Sequence, residues 1–422
     1  MSQCPFSASP DTFLSLDRFA DGLPRGELNA LRDSHRILWQ PDAFARRGHW
    51  LLFQQQDIDH VLQTPDLFTN THGPLLEDFP PEILADQQQS MTFMDPPQHR
   101  KYRSLVDGAF RPQALRMREP VMRQFAREII DSVIDRGECE FVNEVAIQLP
   151  MRVIFHVLGV RPEDAGTVMK LTNTATLADD PDYAENRHAG FLASMGLMEF
   201  GTALAADHRI NPRDSMTMEV LEAEIDGEQL TDREFGRFFN NLIIGGTETT
   251  RNTLGWAMWE FIHHPDQYAA LQADPSLLPG AVEEVLRYRS PVVYLRRTAT
   301  QDLELAGEKI AKGDKLICLL GSPNRDPALF ERPDEFDITR PPNATRRNYR
   351  TFGTGPHFCL GINQARLNLE IMLGEIVRRI DNPRIVGKPR HARSIFMDGF
   401  KELQLAFDPR PVTLRTDGQP AR

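Results

Sequence analysis

One stretch limits the fold more than any other: from Thr231 to His264 the chain carries a single uninterrupted helical pattern. Thr231-Asp232-Arg233-Glu234 opens it as a capping box, in which threonine and glutamate side chains satisfy each other's backbone N–H groups. Pro265 stops it. At 1.5 Å per residue such a helix is about 50 Å long, enough to cross the whole molecule, so the other elements must pack around it. Its middle is a poor helix former. Gly245-Gly246-Thr247-Glu248-Thr249-Thr250 sets two glycines side by side, each costing about 1 kcal/mol relative to alanine, ahead of β-branched threonines. Two readings fit. The glycines let another helix pack close, or they widen the helix locally to admit oxygen beside an acid–alcohol pair. In the second reading Glu248 and Thr249 relay protons through a short hydrogen-bonded chain. Asn241, Gly245, Thr249 and Asn252 share one face by i, i+3 and i, i+4 spacing, and that face would look onto a cofactor.

A second block, Phe352-Gly353-Thr354-Gly355-Pro356-His357-Phe358-Cys359-Leu360-Gly361, sets a cysteine in a glycine-rich loop ahead of a helix. A lone cysteine is usually an inert small hydrophobe. Here the glycines leave room for a flat cofactor, and the positive end of the following helix favours thiolate over thiol. A thiolate so placed can ligate heme iron. Two further blocks would support it. Glu284 and Arg287 share a helical face at i, i+3, and Arg340 can join them in a buried network that braces the cysteine loop. His99, Arg103, Arg297 and His357 offer the cationic or N–H donors that two propionates need.

The balance of 48 basic and 60 acidic side chains, net −12, argues against nucleic acid as a partner. No run of about 18 apolar residues is present, so no membrane anchor is expected. Met1 to Phe6 opens no secretory signal. Cys4, Cys139, Cys318 and Cys359 form no CxxC pair, which points away from disulfides or structural zinc and towards a reducing, cytoplasmic location. Elsewhere the pattern is strand-like at Leu51–Phe53, helical at Asp57–Gln63 and a long loop from Thr69 to Gln89. It is mainly helical from Gln98 to Leu221 and helical again at Leu278–Arg289. Short strands are predicted at Val292–Leu295, Leu303–Leu305 and Lys315–Leu320, and after Cys359 a last helix from about Gly361 or Ile362 to about Ile380. The fold class is mainly α with a smaller β-rich part.

These four blocks, in this order and spacing, resemble the cytochrome P450 monooxygenases of the soluble bacterial kind, over roughly Trp39 to Phe407. The resemblance implies a single domain over 1–422, with a lead-in (1–38), a family-like core (39–407) and a tail (408–422). It implies a triangular, mostly α prism with heme b between the long helix and the cysteine loop. Carried over by position, Cys359 resembles the proximal iron ligand, and Glu248 with Thr249 the oxygen-activating pair. Glu284, Arg287 and Arg340 resemble the structural triad. His99, Arg103, Arg297 and His357 match the propionate partners, and Gly245, Phe352 and Gly361 the cofactor contacts. The acid is Glu rather than the commoner Asp, which keeps the chemistry. The reaction implied is insertion of one atom of O2 into substrate. Glu248-Thr249-Thr250-Arg251-Asn252 is similar to members acting on steroids, branched lipids and terpenoids.

The chain has no GxGxxG fingerprint and no P-loop, so electrons from NAD(P)H are expected through a separate ferredoxin and its reductase. Arg346, Arg347 and Arg350, with Arg100, Lys101, Arg103 and Arg111, would steer that acidic partner. Leu75, Leu76, Phe79, Ile244, Val292, Val293, Leu295, Phe396 and Met397 are the expected apolar walls for a compact hydrophobic substrate, a terpenoid, steroid or alkyl-aromatic. Nothing demands more than a monomer. The rival readings are a peroxide-driven peroxygenase, which would lack the acid–alcohol pair, and a non-catalytic heme sensor or carrier.

Overall fold

A computed structural model describes residues 12–41 and 48–410; Cys4, the Met1–Phe6 segment and the tail beyond 410 lie outside them. The central helix runs Asp232–His263, with Thr231 as its N-cap and the capping box complete. The Thr231 backbone N–H donates to Glu234 Oε2 at 2.8 Å, and the Glu234 N–H donates back to Thr231 Oγ1 at 3.3 Å. Phe235, Phe239, Leu254 and Phe261 bury this helix in the main core beside Leu369 and Met372 of the helix Ile362–Arg379.

The helix Arg187–Ile210 lies along the central one. Gly201 and Gly236 allow the approach: a Cβ on Gly236 would stand 2.4 Å from Met198 O, and one on Gly201 2.6 Å from Phe239 Cβ. By contrast, a Cβ on Gly245 would meet nothing within 4 Å, and one on Gly246 only Ile154, at 3.8 Å. Close helix packing therefore does not account for Gly245; its surface faces open space. Arg187–Ile210 is also the most apolar of the long helices. It has the length and hydropathy to cross a bilayer, although Gly201 and Leu197 bury one side of it in the fold.

A five-stranded sheet orders Ile37–Gln40, His49–Leu52, Lys315–Leu319, Tyr294–Ala299 and Phe68–Thr69, with the second and third strands parallel. The strand predicted at Val292 begins instead at Tyr294, and Val292 bridges Met397. The predicted loop Thr69–Gln89 contains a helix, Pro81–Gln87, started by a proline whose missing N–H is no loss at the first turn. A three-stranded sheet of Ile380–Ile385, Gln404–Pro409 and Glu138–Glu140 was not anticipated.

Three expected pocket residues are packed more tightly than the rest. Leu76 and Val293 are closed into a second core with Phe13, Phe19 and Ile317, and Met397 is likewise buried. Leu75, Phe79, Ile244, Val292, Leu295 and Phe396 remain half-buried.

Candidate active site

Two left-handed glycines shape the cysteine loop, Gly353 (φ 67°) and Gly355 (φ 75°). At Gly355 a Cβ would sit 2.2 Å from Leu62 O, so only glycine fits. The Cys359 N–H donates to Phe352 O at 3.1 Å and closes the loop. Gly361 caps the helix Ile362–Arg379, and a Cβ there would meet nothing within 4 Å. It is open in the same way as Gly245. Burial pushes the Cys359 thiol up, against the pull of the Gly361 N–H, Arg103 and Arg366. The helix start favours thiolate through the Gly361 N–H, without outweighing burial. A coordinated metal does so directly.

The four expected propionate partners converge. The His99 and His357 rings lie 4.0 Å apart, centre to centre. His357 Nε2 donates to Met94 O at 2.9 Å. Arg297 Nη1 donates to Asn70 Oδ1 and to Arg296 O, both at 2.7 Å. Arg103 Nη1 donates to Phe358 O at 2.7 Å, which ties it to the cysteine loop. Burial lowers His357 to about 2 and His99 to about 4, and neighbouring cations add to it: Arg297 and His99 act on His357, Arg103 and Arg297 on His99. Burial lowers Arg297 to about 10. The nearby Asp95 is taken up by Thr69 Oγ1 and the Asn70 N–H, at 2.5 and 2.9 Å. His99 Nδ1 is buried with no hydrogen-bond partner. The cluster is short of negative charge, and the two carboxylates of heme b fit it.

On the central helix, Thr249 Oγ1 donates to Gly245 O at 3.0 Å and stays half-exposed. Glu248, about 100° further round the helix, is fully buried and pairs with Arg251. Burial raises Glu248, against the pull of Arg251. The structure therefore does not join the Glu248 and Thr249 side chains. Asn241 is tied to Ser90 Oγ at 2.7 Å.

Glu284, Arg287 and Arg340 meet. Arg287 donates from Nε and Nη2 to the two oxygens of Glu284, both at 2.7 Å, and Arg340 Nε donates to Oε1 at 3.2 Å. Sequence reasoning missed the adjacent Glu283. It accepts from Arg366 Nε and Arg346 Nη2 at 2.7 Å each and from the Tyr349 hydroxyl at 2.5 Å. The Glu283-Glu284 doublet was the available signal. This network reduces the proposed basic face. Arg346 is engaged with Glu283. Arg350 grips Asp59 with two bonds, at 2.6 and 2.7 Å, and Lys101 pairs with Asp226. Arg100, Arg111 and Arg347 are exposed and form no ion pair among the described residues.

The family model for cytochrome P450 matches residues 195–382. The methyl-branched lipid omega-hydroxylase of Mycobacterium tuberculosis is 36% identical over 371 residues, 87% of this chain and 86% of that protein. The steroid C26-monooxygenase of Rhodococcus jostii is 32% identical over 404 residues, covering 94% and 84%. A Mycobacterium marinum cytochrome P450 solved in complex with pseudoionone superposes with a TM-score of 0.85 at 31% identity, covering 95% of this chain and all of that one. The chain belongs to the cytochrome P450 family. It is a P450 monooxygenase with the P450 fold.

Proposed function

We propose that the protein hydroxylates a compact hydrophobic molecule, with a methyl-branched lipid or a steroid side chain as first candidates. Electrons come from NAD(P)H through a separate ferredoxin and reductase. The carrying observation is the pair of open glycine surfaces, at Gly245 and Gly361, on the two blocks expected to flank the cofactor. The relatives named above support the substrate class. Bound there, heme b supplies reductive activation of O2, one atom going to substrate and the other to water. Cys359 holds the iron as thiolate. His99, Arg103, Arg297 and His357 hold the propionates, and Gly245, Phe352 and Gly361 lie against the ring. Leu75, Phe79, Ile244, Val292, Leu295 and Phe396 exclude water. Thr249 presents a hydroxyl that passes on a proton, and Glu248 replenishes it. The reading includes one heme domain, a monomer and a cytoplasmic location.

Thr249→Ala is expected to keep consuming NAD(P)H while product falls about 10- to 100-fold and hydrogen peroxide takes its place. Product yield per NAD(P)H is the measurement, and an unchanged yield would overturn the relay. For the electron donor, the double reversal Arg100→Glu, Arg347→Glu is expected to slow reduction by ferredoxin about tenfold or more at low salt, with the gap closing as salt rises. Stopped-flow reduction rates check this; equal rates at every ionic strength remove the docking face.

A further inference from the structure

We infer that Arg296 is a specificity-determining positioning residue: from the face of its strand turned away from Arg297 it fixes the segment 74–78, and with it the walls Leu75 and Phe79. Lys315 on the neighbouring strand shares the task. The inference rests on reading Leu75 and Phe79 as walls of the proposed substrate chamber.

Arg296 and Arg297 are adjacent in the strand Tyr294–Ala299, so their side chains leave it on opposite faces. Arg297 joins the cluster of His99 and His357. Arg296 shares the other face with Tyr294 and Thr298, and the register sets Ile317 opposite Arg296 and Lys315 opposite Thr298. A buried guanidinium needs partners for its donors, and Arg296 is 2% exposed. Its donors go mainly to one loop segment. Nη1 donates to Leu75 O and Leu76 O at 3.3 Å each and to Glu77 O at 2.9 Å. Nη2 pairs with Asp78 Oδ1 at 2.8 Å. The Arg296 backbone N–H donates to Pro74 O at 2.9 Å. Each residue from Pro74 to Asp78 is therefore held by Arg296. Lys315 Nζ adds a bond to Leu76 O at 2.7 Å and an ion pair with Asp78 Oδ2 at 3.0 Å, and the Leu76 N–H donates to the Tyr294 hydroxyl at 3.0 Å.

Packing alone does not explain this order. Within 74–78 only Leu76 is buried, in the second core, and Asp78 is exposed. A cleft of about 770 Å³ lined by His72, Asp78, Phe79, Arg296 and Lys315 borders the segment and leaves it room to move. Segments with few buried apolar contacts open first. Here directional bonds from two buried cations stand in for packing. Phe79 follows Asp78 directly, and its ring meets that of Phe93 edge-on at 5.8 Å. A wall fixed in this way is preorganised, so a ligand that matches it does not bear the cost of ordering it. A loosened wall grips compact ligands less and yields to larger ones.

The test compares the holoenzyme with its Arg296→Met variant in two measurements. Hydrogen exchange of a peptide covering 74–79 reads the hold on the segment: its amides are expected to exchange about tenfold or more faster in the variant, with the helix Asp232–His263 unchanged. Unchanged exchange at 74–79 overturns the inference. Spectral titration with phenylimidazole and clotrimazole, a compact and a bulky azole, reads the wall. The ratio of their affinities is expected to shift about tenfold against the compact ligand. A merely structural role would weaken both azoles alike, so faster exchange with an unmoved ratio overturns the specificity role. Arg296→Lys keeps the charge for Asp78 but loses the fork that reaches successive carbonyls, and its ratio should fall between the two. Should Arg296→Met not fold, Asp78→Asn removes the exposed carboxylate that Arg296 and Lys315 share; a shift of about threefold in the same direction is expected, and no shift overturns the inference. Phe79→Ala tests the chamber reading by itself. An unmoved ratio there removes Phe79 as a wall, whereas a moved ratio there beside an unmoved one in Arg296→Met leaves the wall and removes the positioning role.

Discussion

Cys359→Ser should abolish both product formation and the carbon monoxide spectrum of thiolate-ligated iron. The substitution is nearly isosteric, so the turn set by Gly353 and Gly355 and the bond from the residue 359 N–H to Phe352 O should survive. What is lost is the soft, ionisable sulfur that pushes electron density onto iron. The protein chain by itself does not hold this thiol ionised, because burial outweighs the helix end and the two arginines. Bound iron would favour the thiolate directly, and a hydroxyl with a far higher intrinsic pKa cannot replace the thiol. The measurement is the reduced carbonyl spectrum of the purified variant beside wild type. Retention of the thiolate-type spectrum in Cys359→Ser would remove the assignment and the function with it.

The features legible in the sequence are local ones. A capping box and a following proline bound the central helix to within one residue, because both act over a single turn. Glu284 and Arg287 were legible for the same reason, three residues apart on one face. Glu283 was not: its partners Arg346, Tyr349 and Arg366 lie 63, 66 and 83 residues away, and no local period announces them. Strand facing was equally hidden. Val293 and Leu295, two apart, would share a face of one strand, yet Val293 turns into the second core while Leu295 approaches Gly353, because the strand begins only at Tyr294. Glu248 shows the converse failure. Adjacency to Thr249 suggested a joined pair, yet neighbouring residues on a helix point about 100° apart. The partner at i, i+3, Arg251, was the better local reading.

Glu284→Gln should produce the second large effect, on stability and heme retention together. Glu284 balances two guanidinium groups, and Arg287 has no accessible surface. Removing one partner of such a pair leaves a buried charge uncompensated, at about 3–5 kcal/mol, a large share of a typical folding free energy. The loss would not stay local. Arg287 also donates to Asn324 O at 2.9 Å, Pro333 O at 2.7 Å and Glu335 O at 3.0 Å. Asn324 in turn accepts from the Arg350 N–H at 2.7 Å and donates to Thr351 Oγ1 at 2.9 Å. Thr351 immediately precedes Phe352, where the cysteine loop begins. A continuous set of hydrogen bonds thus runs from Glu284 to the base of that loop, and its loss should loosen the grip on heme before the rest of the fold melts. Arg340 touches Glu284 through one longer bond and is slightly exposed, so Arg340→Lys should cost less than half as much. Thermal melting and heme retained through gel filtration are the paired measurements. If Glu284→Gln matches wild type in both, the brace does not hold the loop, and Glu283 with Arg366 becomes the support to test.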